Sequence, residues 1–273
     1  MPTTFYVLEA AVDQCTAEFY VNDIPIVRLG PGIGRYYGGP VNSHLIDGVN
    51  ELAIVINPGA TPSLAVTGDA GERQRSATRE SRAIGKLTRY PFGAVVGGPQ
   101  GVDLIIADWK GPEEEAPVVF PRVAAGQADL GELYGPWEWQ DAGKIMLDET
   151  TAGEIKPVLE KLRESLAAAN PGPFLELGRT RMKESARAFG FSVAEKERLI
   201  RTNTRQESSH AGWGLQPLNE ARFDLRLCAE DRMVEAVAKD WEAILRENPD
   251  AGGRSAYYTM MLSRIGGEWA IVR

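Results

Sequence analysis

Nucleophilic catalysis needs a serine or cysteine beside a base that a third group orients, and Ser208-Ser209-His210 brings the first two residue types together. Glu207 precedes them and Asp224 follows on the next expected strand. No Gly-x-Ser-x-Gly elbow and no Walker loop accompanies the set, so it reads as polar linker residues that satisfy backbone amides. Metal chemistry has less to work with. His44 and His210 are the two histidines, Cys15 and Cys228 stand far apart, and neither His-x-x-x-His nor Cys-x-x-Cys spacing occurs. Gly30, Gly32 and Gly34 invite a dinucleotide reading, but Arg35-Tyr36-Tyr37-Gly38-Gly39-Pro40 follows and cannot open the helix that would receive a pyrophosphate. The expectation is a chain with no catalytic residue, no metal and no cofactor.

Binding chemistry is better supplied. Arg35, Tyr36 and Tyr37 put a cation and two aromatics on a glycine-rich connection, a composition common in contact loops. In the second half, Arg222, Asp224 and Arg226 fall on one face of a strand and Phe223, Leu225 and Leu227 on the other. Charges at period 2 ordinarily mark a solvent face. If that face instead lines the mouth of a concave sheet, His210, Trp213, Arg222, Asp224, Tyr257 or Tyr258, and Trp269 are the polar and aromatic groups a pocket would use.

The elements that position these residues change character along the chain. Up to residue 149 the pattern is β: Phe5 to Val12, Cys15 to Val21 with its alternating faces, a turn at Asn22-Asp23, then Ile24 to Leu29 and the run Val41 to Ile56. Further strands are expected at Arg82 to Tyr90, Gly101 to Trp109, Val118 to Val123 and Gly143 to Leu147. The basic residues Arg75, Arg79, Arg82, Lys86 and Arg89 read as a solvated strand, and Glu113-Glu114-Glu115 as a solvated loop. From Thr151 the period becomes 3.6. Thr151-Ala-Gly-Glu154 has the form of a capping box, and Ile155, Val158, Leu159, Leu162 and Leu166 make an apolar stripe. Helices follow at Pro173 to Phe189, closed by Gly190, and from Ser192 to about Gln206. Strands at Trp213 to Leu218, Arg222 to Cys228, Met233 to Val237 and Trp241 to Leu245 lead into a hairpin turned by Gly266-Gly267. That turn sets Arg264 opposite Trp269 and Leu262 opposite Ile271, and it gives one large apolar face that the helices must cover. The domains are therefore expected at 1–149 and 150–273.

The run His44-Leu-Ile-Asp47-Gly48-Val-Asn50-Glu-Leu-Ala-Ile-Val-Ile56 resembles the phrase that closes galactose-binding-like jelly-roll domains. Helices before a meander of strands ending in Gly266-Gly-Glu-Trp269-Ala-Ile-Val-Arg273 resemble the NTF2-like or cystatin-like roll. Together they imply an α+β chain, an antiparallel jelly-roll-like β-sandwich followed by an α+β roll.

The net charge of −8 is concentrated in the first half. Residues 1–150 carry 11 Lys and Arg against 20 Asp and Glu, and residues 151–273 carry 19 against 18. An acidic module repels phosphate backbones and favours a basic partner. The N-terminus lacks a basic and apolar leader, no run is long enough to span a bilayer, and two core thiols suit a reducing compartment. These features point to a cytoplasmic, non-catalytic protein that binds a protein partner, in the manner of an inhibitor or immunity protein. A small-molecule binder or enzyme using the C-terminal pocket is the alternative, and a homodimer through an open C-terminal sheet is a third reading.

Overall fold

The computed structural model describes residues 4–59, 61–64, 73–210, 212–219, 221–249, 253 and 255–273. It is a mixed α+β chain with antiparallel sheets, and it forms two compact units, residues 1–60 with 64–136 and residues 61–63 with 137–273.

The first unit contains β1 (Thr4–Asp13), β2 (Ala17–Val21), β3 (Ile24–Leu29), β4 (Tyr36–Pro40), β5 (Val49–Ile56), β6 (Gln74–Ala77), β7 (Arg82–Pro91), β8 (Val102–Lys110), β9 (Ala116–Val119) and β10 (Arg122–Asp129). They form one sheet in the order β4-β1-β7-β8, a second in the order β10-β5-β2-β3, and the small pair β6-β9. Period-2 patterning decides which residues meet: Leu8, Leu87 and Ile105 from one sheet and Phe19, Leu52 and Ile54 from the other are buried in a single core. Asn22 and Asp23 turn the chain with positive φ, as a two-residue hairpin loop requires. The Asp47-Gly48-Val49-Asn50 phrase has a structural task. Asp47 Oδ1 accepts the amides of Leu133, Tyr134 and Gly135, while the side chain of buried Asn50 bonds both backbone groups of Ile46. The expected Val118 to Val123 strand divides at Pro121, which has no amide to give a ladder. Gly143 to Leu147 is irregular rather than a strand.

The second unit opens with α1 (Glu149–Ala167), α2 (Gly172–Leu177), α3 (Arg179–Phe189) and α4 (Val193–Glu207). Its strands are β11 (Phe223–Cys228), β12 (Met233–Ala238), β13 (Leu245–Arg246), β14 (Tyr257–Tyr258), β15 (Met260–Ile265) and β16 (Glu268–Ile271), with β11-β12-β15-β16 as the main sheet. Helix α1 starts earlier than the Thr151 box suggested. Asp148 is the N-cap and accepts the Thr151 amide at 2.8 Å, whereas Thr151 is buried and donates to the Met146 carbonyl. The second expected helix breaks at Gly178 into α2 and α3, while Gly190 at φ 71° and the Ser192 cap are as the residue types require. Trp213 to Leu218 keeps a single bridge at Leu215, since Pro217 lacks a donor, and Trp241 to Leu245 keeps a bridge at Ala243 and the first residue of β13, after Trp241 takes a left-handed turn. Residues 137–148 pack with this unit rather than the first. Trp137 and Trp139 lie against the Arg273 guanidinium, and Trp137 against that of Arg187, which moves the junction ahead of residue 149.

The hairpin has the expected register, with Arg264 opposite Trp269 and Leu262 opposite Ile271. Its buried Met260, Leu262 and Ile271 share a core with Ile155, Leu159, Leu162 and Leu166 of α1. The opposite face of the sheet is not the solvent face that its charges suggested. Asp224, Arg226, Glu235 and Ser263 are all buried there. Arg226 pairs with Glu235 directly across β11 and β12 and lies 5.2 Å from the Trp241 ring, and Asp224 accepts the Ser63 amide at 2.9 Å.

Two outcomes follow from the packing of the first unit. A Cβ at Gly126 of β10 would stand 2.5 Å from the Ile106 carbonyl oxygen of β8, so Gly126→Ala is expected to lower unfolding free energy by about 1–3 kcal/mol in a denaturant titration. Burial lifts the Cys15 thiol from 9.0 to about 11. Its contribution to stability is complete below the unfolded pKa of 9.0 and is lost as pH rises toward about 11, so Cys15→Ala should flatten that alkaline decline.

Candidate interaction surface

The residues expected to line a C-terminal pocket are distributed rather than convergent. Asp224 lies on β11 and Trp269 on β16, at opposite edges of the sheet, about 14 Å apart at the usual strand spacing, and they point to opposite faces. Arg222 pairs at the surface with Asp240 and Glu242. His210 is exposed in the turn after α4, and its amide bonds the Glu207 carbonyl. Trp213 packs against the helix core and donates its indole N–H to the Ala167 carbonyl at 2.9 Å. Tyr257 is exposed on β14, and its neighbour Tyr258 donates to Glu247, with burial and then that carboxylate raising its phenol above the ordinary range. Among the described residues no group of three or more His, Cys, Asp or Glu side chains could hold a metal ion.

In the first unit, by contrast, the expected contact residues stand together with others. Val12 donates to the Arg35 carbonyl and Val41 to that of Tyr6, so the odd-numbered residues of β4 bond β1. Tyr36 and Gly38 consequently turn their backbone groups outward at the edge of the sheet. Tyr36 is 81% exposed, Arg35 is exposed beside Asp13 at 3.5 Å, and Tyr37 points to the core side, where burial raises its phenol pKa. Gly39 makes that possible, since a Cβ there would collide with the Tyr37 ring.

Beside this edge lies the connection from β7 to β8, Pro91-Phe-Gly-Ala-Val-Val-Gly-Gly-Pro-Gln-Gly101. It is tied down by Tyr90. The ring of Tyr90 is buried against Phe5 and Gly101, and its hydroxyl donates to Glu9 while accepting the Gly97 amide at 2.8 Å. A second tie, Lys86 to Asp103 at 2.7 Å with Thr88 on the same carboxylate, holds the start of β8 and keeps Asp103 below the usual carboxylate range. On this anchored loop Val95 is 77% exposed, and Val96 sits over Gly38, 3.8 Å from where its Cβ would be. Ile33 at the tip before β4 and Phe92 at the start of the loop are exposed as well.

No family of proteins, no curated sequence and no solved structure matches this chain.

The geometry therefore carries the assignment. Exposed apolar side chains on a mobile tip cost little, but Val95, Val96 and Tyr36 are held in place beside an edge strand whose amides face outward. That arrangement can do two things: bury apolar area and add a hydrogen-bonded strand. Sequence reasoning singled out Arg35, Tyr36 and Tyr37 and passed over Val95 and Val96. The signal was two adjacent β-branched residues inside a loop otherwise composed for turning.

Tyr90→Phe removes a bond to a carboxylate and strands the Gly97 amide, so it is expected to cost about 1–3 kcal/mol. Amide hydrogen exchange at Gly97 checks it: protection there should fall in the variant while the β5 amides stay slow.

Proposed function

We propose that this chain is a non-catalytic protein-binding protein whose contact surface is the β4 edge with the anchored 91–101 loop. The observation that carries this reading is the exposure of Tyr36, Val95 and Val96 on backbone that is itself fixed by buried hydrogen bonds. Binding would bury their side chains and give the outward amides of Tyr36 and Gly38 strand partners.

Charge narrows the partner. The unit formed by residues 1–60 and 64–136 carries 10 Lys and Arg against 16 Asp and Glu, a net −6, which favours a basic polypeptide and disfavours nucleic acid. An inhibitor or immunity role in the cytoplasm belongs to this same reading, and the two buried thiols suit it. Among the described residues no helix is long and apolar enough to cross a membrane. The two four-stranded sheets around one core support a jelly-roll-like sandwich for the first unit. Helices ahead of a meandering sheet support an NTF2-like roll for the second, with the polar face buried rather than open as a cone.

Native mass spectrometry on the chain purified gently from its own cells tests the proposal, with Val95→Asp and Tyr36→Ala run beside it. Both substitutions are at exposed positions, so unfolding free energies should stay within about 0.5 kcal/mol of the parent. A bound polypeptide that is present with the parent chain and lost with both variants is the expected result. A complex that survives both substitutions removes this surface from the interaction.

A further inference from the structure

Within the second unit, α1, α2, the first residues of α3 and the β15–β16 hairpin enclose a cleft of about 390 Å³. That lies at the lower end of the volumes that hold small ligands. Its floor is apolar, with Leu162, Leu177 and the indole of Trp269. The indole is locked in place: its N–H donates to Glu154 at 2.9 Å, and the Arg264 guanidinium lies 4.6 Å from its ring centroid. Four charges stand on the rim, each from a different element: Lys161 of α1, Glu176 of α2, Arg179 of α3 and Glu268 of β16.

These four differ from the charges around them. Next to the cleft, Arg163 pairs with Glu160 and Arg264 with Glu154. Lys161, Glu176, Arg179 and Glu268 form no ion pair among the described residues, although two signs are present in equal number around one opening. Both signs of charge thus line one opening above an apolar floor. A ligand complementary to that arrangement carries an anionic group, a cationic group and an apolar body between them.

We infer that this cleft binds an amphoteric ligand of amino-acid chemistry with a branched or aromatic side chain. Its carboxylate meets Lys161 and Arg179, its ammonium meets Glu176 and Glu268, and its side chain lies on Trp269. The same chemistry reaches the cleft as a free amino acid or as a dipeptide. The site is separate from the β4 surface, shares no residue with it, and stands or falls by itself.

The test is a titration of the full-length, ¹⁵N-labelled chain, following the Trp269 indole resonance, which Trp269→Phe identifies. L-phenylalanine, L-leucine and the dipeptide Leu-Phe are the probes, and N-acetyl-L-phenylalanine amide, which has neither charge, is the control. A saturable shift with a charged probe, at least about tenfold tighter than the control, is the expected result. Two rim variants separate the contacts. Arg179→Gln should weaken L-phenylalanine and leave L-phenylalanine amide unchanged, and Glu268→Gln should weaken L-phenylalanine and leave N-acetyl-L-phenylalanine unchanged. Stronger binding of Leu-Phe than of both amino acids assigns a peptide ligand, and the reverse assigns a free amino acid. Absence of a saturable shift with all three probes, or equal affinity for the uncharged control, overturns the inference. Both variants alter exposed side chains, so unchanged parent-like indole spectra before titration exclude misfolding as the cause of lost binding.

Discussion

The contact between one stripe of α1 and one face of the last hairpin governs the second unit. Ile155, Leu159, Leu162 and Leu166 need an apolar surface, and Met260, Leu262 and Ile271 supply it. A strand can slip by one residue only by exchanging its buried and exposed faces, so this contact also fixes hairpin register. Polar groups reinforce the choice at its margin. Glu154, one turn into α1, accepts from both Arg264 and the Trp269 indole, and those two residues lie opposite each other across the hairpin. The helix, the register and the orientation of Trp269 are one decision.

The same contact explains why the sheet has a polar reverse. With the helices covering one face, the alternate residues Asp224, Arg226, Glu235 and Ser263 face the other way, and the structure buries them too. Each then needs a partner. Arg226 and Glu235 find each other across the ladder, Asp224 takes backbone amides, and Ser263 donates to the Arg232 carbonyl. Period 2 in the sequence announced two faces. It could not announce that both would be buried, because a charged face with internal partners and one facing water have the same spelling.

What was legible depended on whether the determining contact was local. The Gly266-Gly267 turn, the cap at Ser192, the stop at Gly190 and the Asn22-Asp23 turn involve neighbours in sequence, and all could be read there. The start of α1 was misread by one residue type: Asp148 and Thr151 are both good caps, and the burial of Thr151 against Met146 decided between them. The clustering of Val96 with Gly38 joins residues far apart in the chain, through a loop whose anchor, Tyr90 on Glu9, spans 81 positions. The cleft at Trp269 draws on four elements and was legible only in Trp269 itself.

The buried pair of Arg226 and Glu235 also constrains how this chain can change over generations. Replacing either residue alone takes the ladder partner from a buried charge, at a cost of about 3–5 kcal/mol, a large part of the stability of an ordinary domain. Replacing both by apolar residues of similar volume is close to neutral. The two positions are therefore separated from their simplest alternative by a fitness valley, and in lineages descended from this chain they should be inherited, or lost, as a unit.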